Sequence, residues 1–434
     1  MRLPLCLALA CATHLSWGAN LGQIYQLALD HDATYASALQ AYKAGLEKLP
    51  QGLALLRPTI NLGASLSHAS SEYSGLPSGY SQSSDPYGFS LSLTQPLYRK
   101  QNLEAYAQSK LQVLQAELQL KVARQDLLLR VARAYFDVLQ AQDVLATVGA
   151  QKQANAEQLA QARKSFEVGA ATIVDTHEAQ ARYDLGVAQE IAGQNDLEVK
   201  QRALERLIER DAPALAPLDG QAAMRLPDAN MDAWVARATT DNLAVALGRT
   251  GLEAARREVD KQKGGHAPTL DLAASFSDNR NLLVGTMGGV GSNVSSIGLQ
   301  FALPLYQGGA TDSRVREASA NLEKARFDLE SARRQAILEA RQAYLGVVSG
   351  NAQVQALKQA LVSSQAQLKS TKLGLEVGVR TRVDVLNAQQ QVSSTSKDLA
   401  AARYQTLVAG LTLKAASGTL AQADLKALDA LLLE

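Results

Sequence analysis

The chain has 434 residues with 43 basic and 42 acidic side chains, so it lacks the positive footprint that nucleic-acid binding requires. Aromatic residues make up 5% and prolines number 11, while Ala, Leu and Gln recur throughout, a composition that favours long helices because these side chains lose little entropy there. No segment beyond the N-terminus carries the uninterrupted apolar run of about 18 residues that a membrane-spanning helix needs, so a membrane crossing would require a closed β-barrel.

Residues 1–19 read as a secretory signal. Arg2 gives a positive start, Leu3 to Ala12 form a short apolar stretch, and Trp17-Gly18-Ala19 ends in small residues, which places cleavage near Ala19. Cys6 and Cys11 both fall inside this segment, so the mature chain would hold no disulfide and no thiol chemistry. The alternative is lipidation at Cys11, although Leu is the usual residue where Ala8 stands in a lipoprotein signal.

After an opening helix, two segments at about 58–73 and 86–97 alternate strictly. Ile60, Leu62, Ala64 and Leu66 interleave with Asn61, Gly63, Ser65 and Ser67; Tyr87, Phe89, Leu91 and Leu93 interleave with Gly88, Ser90, Ser92 and Thr94. Period-two alternation puts one set on each face of a strand. A Ser/Gly-rich loop, Ser67 to Asp85, joins the pair. No proline then occurs from Leu97 to Ala212, which marks helical territory. The spacing predicts a long helix over 99–166 and a returning helix over 172–210, with apolar residues three and four apart. At about 1.5 Å per residue the first makes a rod of about 100 Å, far longer than a globular domain needs. Pro213, Pro217 and Pro227 then mark a linker at 213–227.

The rest is the same unit again. Pro58, Pro96, Ala134-Tyr135 and Asp175 return as Pro268, Pro304, Ala343-Tyr344 and Asp384, each about 209 residues on and in the same order, as a duplication requires. The first repeat is therefore 20–212 and the second 228–417, with a C-terminal segment at 418–434. Strands are expected at about 268–280 and 294–304, joined by a loop from Ser277 to Ser295, and helices over 309–375 and 381–417. In the strands Leu270, Leu272, Ala274 and Phe276, then Ile297, Leu299, Phe301 and Leu303, form the apolar sets. Asp271 is the one charge in the opposite, small polar set. Tyr98 and Tyr306, just past the strand exits, suit an interfacial girdle.

A soluble sheet with one buried face shows the same alternation, but no other segment is patterned to cover it. Read as barrel strands, four per chain cannot close a barrel, since the smallest use about eight, and open edges are not tolerated in lipid. Several copies must then share one barrel. The fold class expected is a mixed α+β membrane protein, with four strands per protomer continued by long helices.

These residues resemble the TolC family of outer-membrane factors over the whole mature chain. The resemblance rests on Asn20-Leu21 through Asp30-His31-Asp32, on Leu303-Pro304-Leu305-Tyr306-Gln307-Gly308-Gly309, on Val377-Gly378-Val379-Arg380-Thr381-Arg382-Val383-Asp384-Val385-Leu386-Asn387-Ala388, and on Leu413-Lys414-Ala415-Ala416-Ser417-Gly418-Thr419-Leu420. It implies a homotrimer with a 12-stranded barrel in outer-membrane lipid, a periplasmic helical tunnel, and two partners: a periplasmic adaptor (membrane fusion protein) and an inner-membrane transporter. It leans towards type I protein secretion; a tripartite drug-efflux pump is the alternative, and a non-channel periplasmic helical adaptor or scaffold a more distant one.

Two matching motifs, Thr172-Ile173-Val174-Asp175 and Thr381-Arg382-Val383-Asp384, follow Gly169 and Gly378. Each reads as a capping box after a glycine turn. The resemblance places these turns at the tunnel tip. It implies Asp384, Asn387, Arg380 and Asp175 at the pore constriction, with Arg380 pairing Asp175, and Val168, Gly169, Val377 and Gly378 where the adaptor docks. Asn387 stands where relatives carry a second acid, so the acidic ring should be weaker. Leu375 stands where they carry an aromatic, which puts one gate link in doubt.

The histidines show no ligand spacing. No phosphate loop follows a strand, and no Ser/His/Asp or Cys/His set has a plausible context. No catalytic residue, metal or cofactor is expected, and the energy for transport would come from a partner.

Overall fold

The computed structural model describes residues 18–73, 80–220, 230–283 and 290–433. Most of the signal segment, with Cys6 and Cys11, lies outside the described residues, as do the loop centres at 74–79 and 284–289 and the linker from 221 onward. The helices are α1 (Leu21–His31), α2 (Ala33–Leu46), α3 (Lys48–Ala54), α4 (Lys100–Glu167), α5 (Ile173–Ile208), α6 (Met231–Asp241), α7 (Leu243–Lys263), α8 (Ala310–Glu376), α9 (Arg382–Ala416) and α10 (Gln422–Asp429). The strands are β1 (Thr59–Leu66), β2 (Ala69–Tyr73), β3 (Tyr80–Arg99), β4 (Thr269–Leu283) and β5 (Val290–Ala302). Two compact units result. One holds residues up to Leu39, Lys121–Val245 and the chain from Arg333; the other holds Gln40–Leu120 and Ala246–Ala332.

The second unit contains one antiparallel sheet in the order β1-β3-β4-β5, with β2 pairing β3 beyond the end of β1. The break between β1 and β2 lies opposite Pro86. Ser67 donates to the Pro86 carbonyl at 3.0 Å, but proline has no N–H to return the bond, so the ladder is interrupted for two residues. Pairing extends further than the alternation indicated: Tyr73 still faces Tyr80 and Asn281 faces Val290. Much of the two expected loops is thus strand. Above the apolar stretch both faces are polar, so the period-two signal fades while the backbone ladder continues. Up there Ser83, His68 and Asp85 meet: His68 Nδ1 lies 2.6 Å from Asp85 Oδ1, and Ser83 Oγ lies 3.3 Å from His68 Nε2. His68 is exposed, Ser83 and Asp85 are partly so, and the three act as a cross-strand clasp.

The apolar set of the strands is largely exposed, and in β1 and β5 the small polar set between is exposed as well. Leu66 and Ile297 are 80% and 77% exposed, and Ile60, Leu62, Tyr87, Phe89, Leu91, Phe276, Leu299, Phe301 and Leu303 are also exposed, while Leu93, Leu270 and Leu272 are partly covered. The apolar run crosses the register diagonally. Its centre lies at Gly63 opposite Ser90 in β1 and β3, at Ala273 opposite Thr94 in β4, and at Gln300 opposite Asp271, itself opposite Pro96, in β5. Strands tilted against a horizontal apolar band produce this drift. Asp271 is buried, and Arg99 neutralises it through Nε at 2.8 Å and Nη2 at 2.6 Å. Among the described residues β1 and β5 pair on one side only.

In the first unit, Leu127, Val131, Tyr135, Phe136 and Leu139 of α4 pack with Leu21, Ile24 and Tyr25 of α1, Leu204 and Ile208 of α5, Leu407 and Leu411 of α9, and Leu425 of α10. Each such side chain contributes roughly 1.5–3 kcal/mol by leaving water. The Tyr135 hydroxyl reaches the carbonyls of Ala19 at 3.0 Å and Ala216 at 2.9 Å, and its burial pushes the phenol well above its usual range. Buried Asp32 caps α2 and accepts two bonds from Arg130, at 2.8 and 3.0 Å. Asn242 caps α7 in the matching place. The helix ends match less well. After α9 the left-handed position is Gly418, φ +71°; after α5 it is Glu209, φ +52°, a conformation that disfavours a side chain.

Candidate functional site

Two interhelical turns carry the candidate site. In the first, α4 stops at Glu167 and Gly169 takes φ +75°; Gly169 N donates to Phe166 O at 2.9 Å and Ala170 N to Ser165 O at 2.7 Å. In the second, Gly378 takes φ +81°, with Gly378 N donating to Leu375 O at 3.1 Å and Val379 N to Gly374 O at 2.9 Å. A positive φ explains both glycines. Space does not, because a Cβ at either would meet nothing within 4 Å.

Both turns then enter a capping box. Thr172 N donates to Asp175 Oδ2 at 2.8 Å while Asp175 N donates to Thr172 Oγ1 at 3.2 Å; the Thr381–Asp384 pair repeats this at 2.9 and 3.2 Å. The threonine backbone N–H in each box, aided by its hydroxyl, holds the carboxyl below the usual carboxylate range. Both acids therefore stay charged well below neutral pH.

The surroundings differ. Arg380 N donates to Gly374 O at 3.1 Å, and the Arg380 side chain lies across Gly374, where a Cβ would come within 2.7 Å of Arg380 Cγ. Arg380, Asp384 and Asn387 line one groove of about 620 Å³ with Gln367, Thr371 and Gln391 of α8 and α9. Asp175 lies elsewhere, in a small crevice with Glu178, Leu386 and Arg382. The cation acting on Asp175 is Arg382, whereas Arg380 acts on Asp384. Within the protomer Arg380 follows its own turn back over α8, and Arg382 is the cation beside Asp175.

Arg382 escaped the sequence reading. It crosses from the start of α9 to Ser165 of α4, Nη2 to Oγ at 2.6 Å, and so ties one turn to the other. Its signal was available: a cation in the first turn of a helix opposes the macrodipole, so another partner must hold it. Arg182 of α5 makes a second cross-link, donating to Asn387 Oδ1 at 3.0 Å. Val168 is 78% exposed, and Val377, Val379 and Val174 are similarly bare. The pair Val379 and Val174 extends the apolar surface beyond the residues the sequence singled out.

The model of the family described as outer membrane efflux protein matches the chain twice, over residues 24–209 and 234–419. Outer membrane protein TolC of Vibrio cholerae is 32% identical over 97% of this chain and 96% of its own length. The alkaline protease secretion protein AprF of Pseudomonas aeruginosa is 32% identical over 93% of this chain and 85% of its own. Among solved structures, the CmeC outer membrane channel of Campylobacter jejuni superposes with a TM-score of 0.80 at 17% identity, covering 96% of this chain and 90% of that one; this likeness speaks to the fold. The chain belongs to the outer membrane efflux protein family, the TolC-type transport proteins of the outer membrane, which are not enzymes.

Proposed function

We propose that three copies of this chain form a channel-tunnel that carries substrates from a periplasmic adaptor and an inner-membrane transporter to the cell exterior. The observation that carries this is the pair of uncovered edges in each unit. In the sheet they are β1 and β5, and four strand positions from each of three protomers would close 12 strands in outer-membrane lipid. In the helical unit α5 packs on α4 through Lys152–Glu190 at 2.5 Å, α4 joins α9 through Tyr404–Asp143 at 2.7 Å, and α9 packs on α8 through Val354, Leu399 and Ala402. The outermost helices, α5 and α8, keep exposed apolar residues: Leu185, Ile191 and Val199 on one, Leu345, Val362 and Leu373 on the other. A next copy would cover both.

In this reading residues 20–212 and 228–417 are two repeats of the wall, and 213–227 with 418–434 form an equatorial belt. Arg380, Asp384, Asn387 and Asp175 constrict the periplasmic end, and Val168, Gly169, Val377 and Gly378 receive the adaptor, since small residues on a bare turn permit close approach. The cargo reading leans to type I protein secretion, supported by relatives named for protease secretion. Small-molecule efflux is the second reading, supported by the family description and by a relative named as an efflux protein. Heat-modifiable trimers from detergent-extracted outer membranes test the assembly; a soluble periplasmic monomer would overturn it. Deleting the gene and assaying secreted protein beside drug sensitivity separates the two cargo readings.

A further inference from the structure

The internal duplication supplies two versions of one joint near the turns. The crevice that holds Asp175 is lined on its α4 and α5 side by Gln158, Ala162, Asp175, Glu178 and Ala179. The groove that holds Asp384 is lined on α8 and α9 by Gln367, Thr371, Asp384, Asn387 and Ala388, the same five positions one repeat on. The two sites differ in what closes them. The crevice keeps only about 10 Å³ of free space, because Arg382, Val383 and Leu386 from the start of α9 plug it, and Leu386 is 5% exposed. The groove keeps about 620 Å³. Gln367 and Asn387 lie exposed in it, where Gln158 and Glu178 are partly covered.

The plug has repeat counterparts too. Arg382, Val383 and Leu386 correspond to Ile173, Val174 and His177 at the start of α5. Residues three and four apart share one face of a helix, and this face is bare. Ile173 is 46% and Val174 66% exposed, His177 is exposed, and among the described residues no hydrogen bond or ion pair engages its imidazole. The two helices stand at opposite ends of the row α5–α4–α9–α8, so this face cannot serve the groove of its own copy. One cation is also relocated. Arg382 crosses to Ser165 in the crevice. Ser165 corresponds to Gly374, and over Gly374 the groove already carries its own Arg380, so the matching plug residue can be the uncharged Ile173.

We propose that the start of α5 from the next copy seats in the Arg380–Asp384 groove, with His177 in the place that Leu386 takes in the first crevice. The groove is thus one half of a site that a second copy completes. The seating rests on the trimer reading above and adds to it which residues meet at the joint.

The test is disulfide trapping in the full-length protein, which has no cysteine beyond Cys11. His177→Cys combined with Thr371→Cys should give covalent dimers and trimers on oxidation. Leu386→Cys combined with Ala162→Cys, the same two positions in the first crevice, should close within one chain. In addition, His177→Cys in the trimer should react with a water-soluble maleimide about tenfold more slowly than Val168→Cys, since a packed interface excludes solvent. Both residues are exposed in the single protomer, so slow labelling can come only from another copy. Heat-modifiable trimers that close the control pair but link no chains through His177→Cys and Thr371→Cys, or that label His177→Cys as fast as Val168→Cys, overturn the seating alone. Protein that never forms trimers overturns the channel reading and the seating together.

Discussion

The same helices pack in two different ways along the first unit. Around Tyr135, α4 meets α9 through Phe136, Leu139, Tyr404, Leu407 and Leu411, all nearly inaccessible. Further along, nearer the turns, polar residues join the buried set: Gln151, Asn155, Ser393 and Thr395 lie among Leu159, Ala162, Val385 and Leu386. Gln151 bonds Gln390, yet Gln151 Oε1, Gln389 Oε1 and Thr176 Oγ1 are buried without a partner. An apolar interdigitated core has one good packing and resists displacement. A polar seam with unspent acceptors loses little when its helices shift, because new hydrogen bonds or water replace the old. The apolar region should therefore resist displacement more than the polar one, as the proposed constriction beyond the seam would require.

The largest effect should come from breaking the holding region. Leu411→Ala removes a fully buried side chain and is expected to cost about 2–5 kcal/mol, read as a lowered midpoint of thermal trimer dissociation. The equivalent change in the polar seam, Gln389→Ala, should cost under about 1 kcal/mol, since its acceptor is already unmet. Equal losses would erase the contrast between the regions.

Asp32→Asn is next, at about 3 kcal/mol, because it strips Arg130 of its buried counterion. The same pair predicts a pH dependence. The Arg130 hydrogen bonds hold Asp32 below the ordinary carboxylate range, so its stabilisation is fully present above that range and is lost as pH falls through the depressed folded value. Acid titration of thermal stability should show a step below the usual aspartate range in the wild type and none in Asp32→Asn.

A smaller change sharpens the comparison between repeats. Glu209→Gly should raise stability by about 0.5–1 kcal/mol, because glycine accepts the left-handed backbone that Gly418 already occupies in the other half. Gly169→Ala and Gly378→Ala should each cost about 1 kcal/mol, checked by the same dissociation midpoint.

Much of this was legible in the chain itself. Strict alternation located the strand cores that the antiparallel register pairs, and Thr172/Asp175 and Thr381/Asp384 marked helix starts that the hydrogen bonds reproduce. The glycines before them announced positive φ. What stayed hidden has physical reasons. The strands outrun their pattern where both faces turn polar, and the β1–β2 break needs the register that sets Pro86 opposite Ser67. Arg382 was passed over because its partner, Ser165, lies over two hundred residues away in the sequence.

If the polar seam yields while the apolar core holds, the links between the turns should set how wide the closed end stands. Single-channel conductance in planar bilayers of the Arg382→Ser variant tests this most directly, with Arg380→Ser beside it. Removing Arg382 frees Ser165 and Asp175 from the second turn, and a severalfold rise in conductance is expected. Conductance unchanged from the wild type, in protein that still migrates as a trimer, would contradict a gate held by the second turn.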